Sequence, residues 1–568
     1  MNGATATDAL MAALRREFGG RSLLTGSGAT LRYRRGFRSA EGTAAAVVRP
    51  CSLLQLWRAL QICAAFDAVV IMQAANTGLT GGSNPDDTDY GRDVVIISTL
   101  EIKGLHVLGD GEQTICLPGT TLVELEDALR PFAREPHSVI GSSCIGALVV
   151  GGICNNSGGA LVRRGPAYSQ LALFAWRDDR GALHLVNNLG IDLGTSPEEI
   201  FSRLERGTFS AADVDDPVGR RASAKDYESV VRAIDASSPA RFNADPRNHF
   251  EASGSAGRVV VFAVRLDSFP RDAETRLFYI GTNNPLELTT LRRHMLAHFP
   301  ALPVSAEYLH RDCFEIAERY GKDVFLVIRW LGTRFMPVMA RLKRAFDAFG
   351  GGQSMRRGAR SDRLLQQLSN FLPAHLPHRL RDYRDRYEHH LLLKVAGSNI
   401  ARTADYLGER FPSSSGDFFE CDAAEDRDAH LHRFAAAGAA IRFREVHRDS
   451  VGEIVALDIA LPRNTLQWRE TLPAWLAGMT ERRLYYGHFF CHVFHQDYIL
   501  KADADAETFK AGLLEILDRR GAEYPAEHNV GHVYAAKPAL ASFYRALDPT
   551  NSFNPGIGKT TKARNWAT

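Results

Sequence analysis

The stretch that most constrains this chain is residues 73–83, Gln-Ala-Ala-Asn-Thr-Gly-Leu-Thr-Gly-Gly-Ser. It follows Ala-Val-Val-Ile-Met (residues 68–72), an apolar run that reads as a buried strand. The loop carries three glycines and no charged side chain. Glycine lets a ligand approach the backbone closely, and successive N–H groups can line a concavity that suits a phosphate. A second run, residues 141–159 (Gly-Ser-Ser-Cys-Ile-Gly-Ala-Leu-Val-Val-Gly-Gly-Ile-Cys-Asn-Asn-Ser-Gly-Gly), has the same character. Either run alone reads equally well as a tight turn. Together they suit the two ends of a large dinucleotide.

A length of 568 residues allows two to four domains, and 45% hydrophobic residues allow sizeable cores. The 68 basic and 66 acidic residues leave a net charge of +2, so bulk charge does not select nucleic acid. Eight cysteines without a C-x-x-C pair argue against a zinc ribbon or disulfide framework and fit a reducing compartment. The first residues lack a basic stretch followed by an apolar one, so no signal peptide is expected. No run approaches about 18 uncharged apolar residues, so no spanning helix is expected either.

Strand-like runs at 45–48, 68–72, 93–97 and 114–117 alternate with helical patterns at 8–18, 52–66 and 121–129. The last of these carries Thr121 and Glu124 in a capping-box spacing. A hairpin is predicted from 171–176 and 183–186 around 178–181, then a polar excursion over 205–250 and a strong strand at 258–265. The class is α+β or α/β, with a first boundary near 270. Beyond it the pattern predicts strands at 277–280, 388–394 and 454–461 and helices at 284–297, 428–440 and 505–520.

Residues 329–386 stand apart, with 13 Lys or Arg against 4 Asp. Trp330, Phe335, Met336, Leu342, Phe346 and Phe349 interleave with Arg334, Arg341, Lys343 and Arg344. A basic, aromatic-rich amphipathic stretch suits an anionic membrane surface. A subunit contact and a solvated insertion remain open alternatives.

Histidine clusters late in the chain. His488, His492 and His495 lie close together, and Glu527, His528 and His532 follow. Across a hairpin, His488 and His495 can converge. Imidazoles with a carboxylate suit a divalent metal, and one histidine can serve as general base. His528 is the choice for that base, beside Glu527. A metal-dependent hydrolase is the rival from another class. There is no Gly-x-Ser-x-Gly, no Walker loop and no Gly-x-Gly-x-x-Gly opening a helix, which disfavours a Rossmann domain.

Residues 73–83, 141–159, 527–532 and 551–558 resemble the flavoproteins of the vanillyl-alcohol-oxidase, or PCMH, type. Residues 134–144, 387–394, 432–442 and 494–498 extend the likeness to that family's quinone-dependent, D-lactate-oxidising branch. The resemblance implies an α+β fold: a PCMH-type FAD-binding domain of two α+β subdomains (1–270), an antiparallel-sheet cap (271–328 and 387–520), a basic membrane-binding segment (329–386) and a C-terminal segment returning to FAD (521–568). It implies non-covalent FAD, with contacts at Ala74, Ala75, Asn76, Thr77, Gly78, Gly82, Ser83, Gly141, Leu148, Gly158 and Val261. Leu148 stands where the family often has a small polar residue. Relatives acting on D-2-hydroxy acids imply a divalent metal at His488, His495 and Glu527 and a base at His528, although the Asp-Gly-Asn usual between the two histidines is absent here. Arg433 is the candidate clamp for the substrate carboxylate. The implied activity is oxidation of D-lactate to pyruvate, with electrons passing to ubiquinone or menaquinone at the cytoplasmic side of the cell inner membrane, where the protein would be peripheral. Other D-2-hydroxy acids, such as 2-hydroxyglutarate or glycolate, are alternative substrates.

Overall fold

The computed structural model describes residues 6–137, 146–215, 219–332 and 358–567. Three apolar runs form a parallel trio. Val94–Ser98 lies between Ala46–Val48 and Val69–Gln73, and Leu23–Leu24 joins antiparallel at one edge. Parallel strands are covered on both faces, which is why these read as nearly unbroken Val and Ile. Helix Leu53–Ala65 packs on one face through Leu56, Leu60 and Cys63, and the Ser52 side chain accepts the Gln55 N–H at its start.

A second sheet is wholly antiparallel. It runs Leu105–Leu108, Gln113–Cys116, Val260–Asp267, Ala172–Arg177, Leu183–Asn187. The last two strands are the expected hairpin. Helix Leu122–Leu129 opens with the expected capping box between Thr121 and Glu124.

The third sheet has seven strands, also antiparallel: Gly416–Glu420, Thr275–Thr282, His389–Ala396, Ser305–His310, Thr480–His488, Val493–Lys501 and Val451–Ala460. Side chains alternate between its faces. Leu277, Tyr279, Leu392, Leu484 and Ile499 join the core that includes helices Arg311–Tyr320 and Ala423–Val446. Phe278, Ile280, Leu391, Tyr485 and Phe494 join a larger core on the other face. The class is therefore α+β, as the sequence suggested.

Two expectations change in detail. The helix expected at 428–440 runs Ala423–Val446, because Asp422 and Glu425 form a capping box several residues earlier. The polar stretch 205–250 is not a solvated excursion throughout. Arg241, Asn243 and Asp245 are buried, and Arg241 donates to the carbonyls of Gly159, Leu161 and Arg164. Gly141 lies outside the described residues, as does 333–357 of the basic segment. The seven described cysteines are free thiols. No helix among the described residues is long and apolar enough to cross a membrane.

Candidate active site

Four strands of the large sheet place polar residues on the face covered by the long helix. Alternation puts Glu307 with Leu309, His488 with Tyr486, His495 with Ile499 and Asp458 with Ile454, all apolar partners belonging to one core. Register then sets the pairs: Glu307 lies directly opposite His488, and Asp458 directly opposite His495. A hairpin turning through Phe489–Cys491, one of the arrangements in which the two histidines can converge, brings the His488 and His495 rings to 5.5 Å.

His488 is held at both nitrogens. Nδ1 is 2.6 Å from Glu307 Oε1 and Nε2 is 3.1 Å from Glu527 Oε2. Burial disfavours its charge, but the two carboxylates outweigh burial and push its pKa up to about 10. Burial likewise works against a Glu307 carboxylate, yet His488 and Arg433 bring it down to about 2. Arg433, from helix Ala423–Val446, lies 3.1 Å from Glu307 Oε2 and over the Tyr486 ring. At the other end, Arg241 Nη2 donates to Glu527 Oε1 at 2.6 Å. The result is a buried chain of alternating charge: Arg241, Glu527, His488, Glu307, Arg433.

His528 differs. Its Nδ1 is 2.7 Å from Asp458 Oδ2, which also accepts the Glu527 backbone N–H at 2.7 Å. With Nδ1 engaged, Nε2 is the nitrogen left to face a substrate. Burial opposes its charge, but Asp458 prevails and raises its pKa above the ordinary histidine value. His495 goes the other way. Burial outweighs Asp458 and Glu527 and pushes it down to about 4, so it is a neutral imidazole. His492 and His532 stand apart, bonded to the carbonyls of Pro462 and Asn84.

The same C-terminal segment joins the two glycine-rich loops. Asn529 Nδ2 donates to Asn155 Oδ1 at 2.8 Å, and Asn554 Nδ2 donates to the Gly82 carbonyl at 2.8 Å. A Cβ on Gly151 would stand 3.3 Å from that of Ala74. A Cβ on Gly158 would stand 2.3 Å from Glu527 Oε1, so this carboxylate reaches its place only because that residue lacks one.

Ala74, Ala75, Asn76, Thr77, Gly78, Gly82 and Ser83 follow strand Val69–Gln73, with Asn76 at positive φ and the Ser83 carbonyl tied to Gln73. Leu148 is buried ahead of the short helix Val149–Cys154, and Val261 sits at a bulge in its strand. Where these segments meet, Asn76 Oδ1, Asn156 Oδ1, Ser255 Oγ and Asn554 Oδ1 are buried without a partner in the chain. Buried polar atoms are costly unless satisfied, and orphans lining glycine loops fit a polar dinucleotide. Among the described residues, His488, His495 and Glu527 also bring one ligand atom each within 4.8 Å of the others. Glu307 and Asp458 back the two imidazoles, the arrangement common behind metal-bound histidines.

A family model described as "D-lactate dehydrogenase, membrane binding" matches residues 277–566. The quinone-dependent D-lactate dehydrogenase of Escherichia coli is 55% identical over 568 residues, covering 100% of this chain and 99% of that protein. The chain belongs to the quinone-dependent D-lactate dehydrogenase family. The Haemophilus influenzae family member is 54% identical, with 97% of each chain covered. Among solved structures, substrate-bound p-cresol methylhydroxylase superposes with a TM-score of 0.59 at 12% identity, covering 98% of this chain and 97% of that one. An alkyldihydroxyacetonephosphate synthase gives 0.55 at 12% identity, covering 96% and 84%. These likenesses establish that the fold is of the PCMH type expected from the sequence.

Glu307, Asp458 and Arg241 were not singled out from sequence. Each is a charged residue inside a run that is otherwise apolar or destined for burial. That is the signal that marks them, since such residues are rarely buried unpaired.

Proposed function

We propose that this chain is a membrane-associated flavoenzyme that oxidises D-lactate to pyruvate with non-covalent FAD and passes the electrons to a quinone. The observation that carries the reading is His528, anchored at Nδ1 by Asp458, with Nε2 free beside the junction of two glycine-rich loops. The names of the full-length relatives supply substrate and acceptor. FAD would lie along residues 74–78, 82–83, 141, 148, 158 and 261; when bound it supplies the hydride acceptor.

The residues around it have distinct tasks. His528 Nε2 takes the hydroxyl proton of D-lactate, and Asp458 fixes the tautomer that leaves this nitrogen unprotonated. Asp458 also stabilises the imidazolium that forms. Arg433 clamps the substrate carboxylate while Glu307 holds its guanidinium in place. A divalent metal, held by His488, His495 and Glu527, would polarise the hydroxyl. We assign residues 1–270 to cofactor binding, 271–328 and 387–520 to the cap, 329–386 to the membrane segment and 521–568 to closure over the cofactor. Exposed Trp330, Leu331, Leu364, Leu368 and Phe371 support the membrane assignment, Phe371 being 88% exposed. The proposed location is the cytoplasmic side of the inner membrane.

The test is the absorption spectrum of pure protein under anaerobic conditions. D-lactate should bleach a flavin band fully, while D-2-hydroxyglutarate and glycolate should bleach it slowly. A colourless protein, or a band untouched by any of the three, overturns the reading.

A further inference from the structure

A cleft of about 500 Å³ opens between helix Lys322–Leu331, strand His389–Ala396 and the first turns of helix Ala423–Val446. Ile328, Leu431 and Phe434 give it apolar walls, and Lys394 and His430 give it a polar end. Those two are held by one carboxylate: Lys394 Nζ is 3.0 Å from Asp426 Oδ2 and His430 Nδ1 is 2.8 Å from Asp426 Oδ1. The remaining ammonium hydrogens of Lys394 are therefore free to donate into the cleft, while His430, whose Nδ1–H is engaged by Asp426, presents Nε2 as an acceptor.

Its position gives it meaning. His430 lies one helical turn before Arg433, and so on the same helix face. Lys394 lies two residues along its strand from Leu392, the register partner of Glu307, and so points to the same side of the sheet. One wall of the cleft thus adjoins the Glu307–Arg433 pair. The opposite wall, helix Lys322–Leu331, ends in Trp330 and Leu331, which are 65% and 51% exposed. The cleft thus lies between the helix that carries Arg433 and the helix that ends in an exposed apolar edge.

We propose that this cleft binds the head group of the quinone, with Lys394 donating to a ring carbonyl and the isoprenoid tail leaving past Trp330 and Leu331. A flat ring with carbonyl acceptors and an apolar tail matches a slot that has the Lys394 ammonium at one end and apolar walls along its length. The proposal rests on the reading of the site as a D-lactate oxidoreductase. The two electrons and two protons that turn a quinone into a hydroquinone are those D-lactate gives up on becoming pyruvate.

The probe is a soluble benzoquinone bearing one isoprene unit. Its Kd is measured by titration calorimetry on the flavin-loaded enzyme without D-lactate, and its KM by turnover. D-lactate oxidation with a phenazine dye is followed in parallel. Leu431→Trp fills the cleft from one wall, and Ala423→Leu narrows it from the exposed rim. Each should raise Kd and KM for the quinone about tenfold and leave dye-linked oxidation within about twofold of the parent. Lys394→Met should weaken quinone binding, and Lys394→Arg, which keeps a donor, should restore most of it. An unchanged quinone Kd in both cleft variants overturns the proposal. So does a parallel loss of dye-linked activity, which would place the cleft on the path of the hydroxy acid. A parent enzyme that reduces no dye with D-lactate would instead overturn the proposed function, while the calorimetry still reports on the cleft.

Discussion

Two histidines of this site are each tied to a buried carboxylate, yet they are built for opposite tasks. His488 is gripped at both nitrogens, by Glu307 and Glu527, within a run of five alternating charges. His528 is gripped at one, by Asp458, and its side chain is 31% exposed. Locking both nitrogens holds a ring and its charge in place; locking one selects a tautomer and leaves a working lone pair. On the proposed reading, what separates a holder from a base is the number of partners, not the kind.

The sharpest way to break this contrast is His528→Ala. We expect turnover with D-lactate to fall by about 10²–10⁴-fold, the usual contribution of a positioned base, with the flavin spectrum retained. Normal turnover would remove the role assigned to Nε2. Next in size is Arg241→Met, which strands Glu527 in the interior. Breaking a buried pair costs about 3–5 kcal/mol, which urea unfolding should show as a lower midpoint. Asp458→Asn should be milder, lowering kcat by about 10–100-fold as second-layer changes do. KM for D-lactate should move little, because the substrate is bound by other groups.

The smallest effect is on pH dependence and concerns the holder. The His488 pKa is raised from its ordinary 6.5 to about 10, and its effect is to be read on chelator-treated protein. A raised pKa contributes stability that is complete below pH 6.5 and is lost as pH climbs towards 10. Glu307 works at the other end. Its pKa is lowered from 4.5 to about 2, so its contribution is present above pH 4.5 and fades as pH falls towards 2. Urea midpoints for the parent should therefore decline on both flanks, and Glu307→Gln should flatten them. An identical alkaline decline in that variant would detach His488 from the balance.

Much of this architecture was legible from local pattern. Strand Val69–Gln73 and the capping box at Thr121 follow from an apolar run and cap spacing, while histidine spacing only allowed the hairpin that joins His488 to His495. The partners of those histidines were not legible. Glu307 lies 181 residues from His488, and Arg241 lies 286 from Glu527. Such pairings are fixed by sheet register and by the return of the chain, which no window of sequence contains. Asp458 was in plain view within an expected strand at 454–461. A lone carboxylate in a run that becomes buried is a request for a partner, but the run does not say which one.

Val70 donates to the Ser552 carbonyl, and Asn554 donates back to the carbonyl of Val70. The first sheet is thus finished by residues the ribosome delivers long after its own strands have emerged. Early domains generally fold as they appear, but this one must wait with an open edge. The nucleotide cradle is a property of the whole translated length, and an isolated front half would offer cofactor only part of a socket.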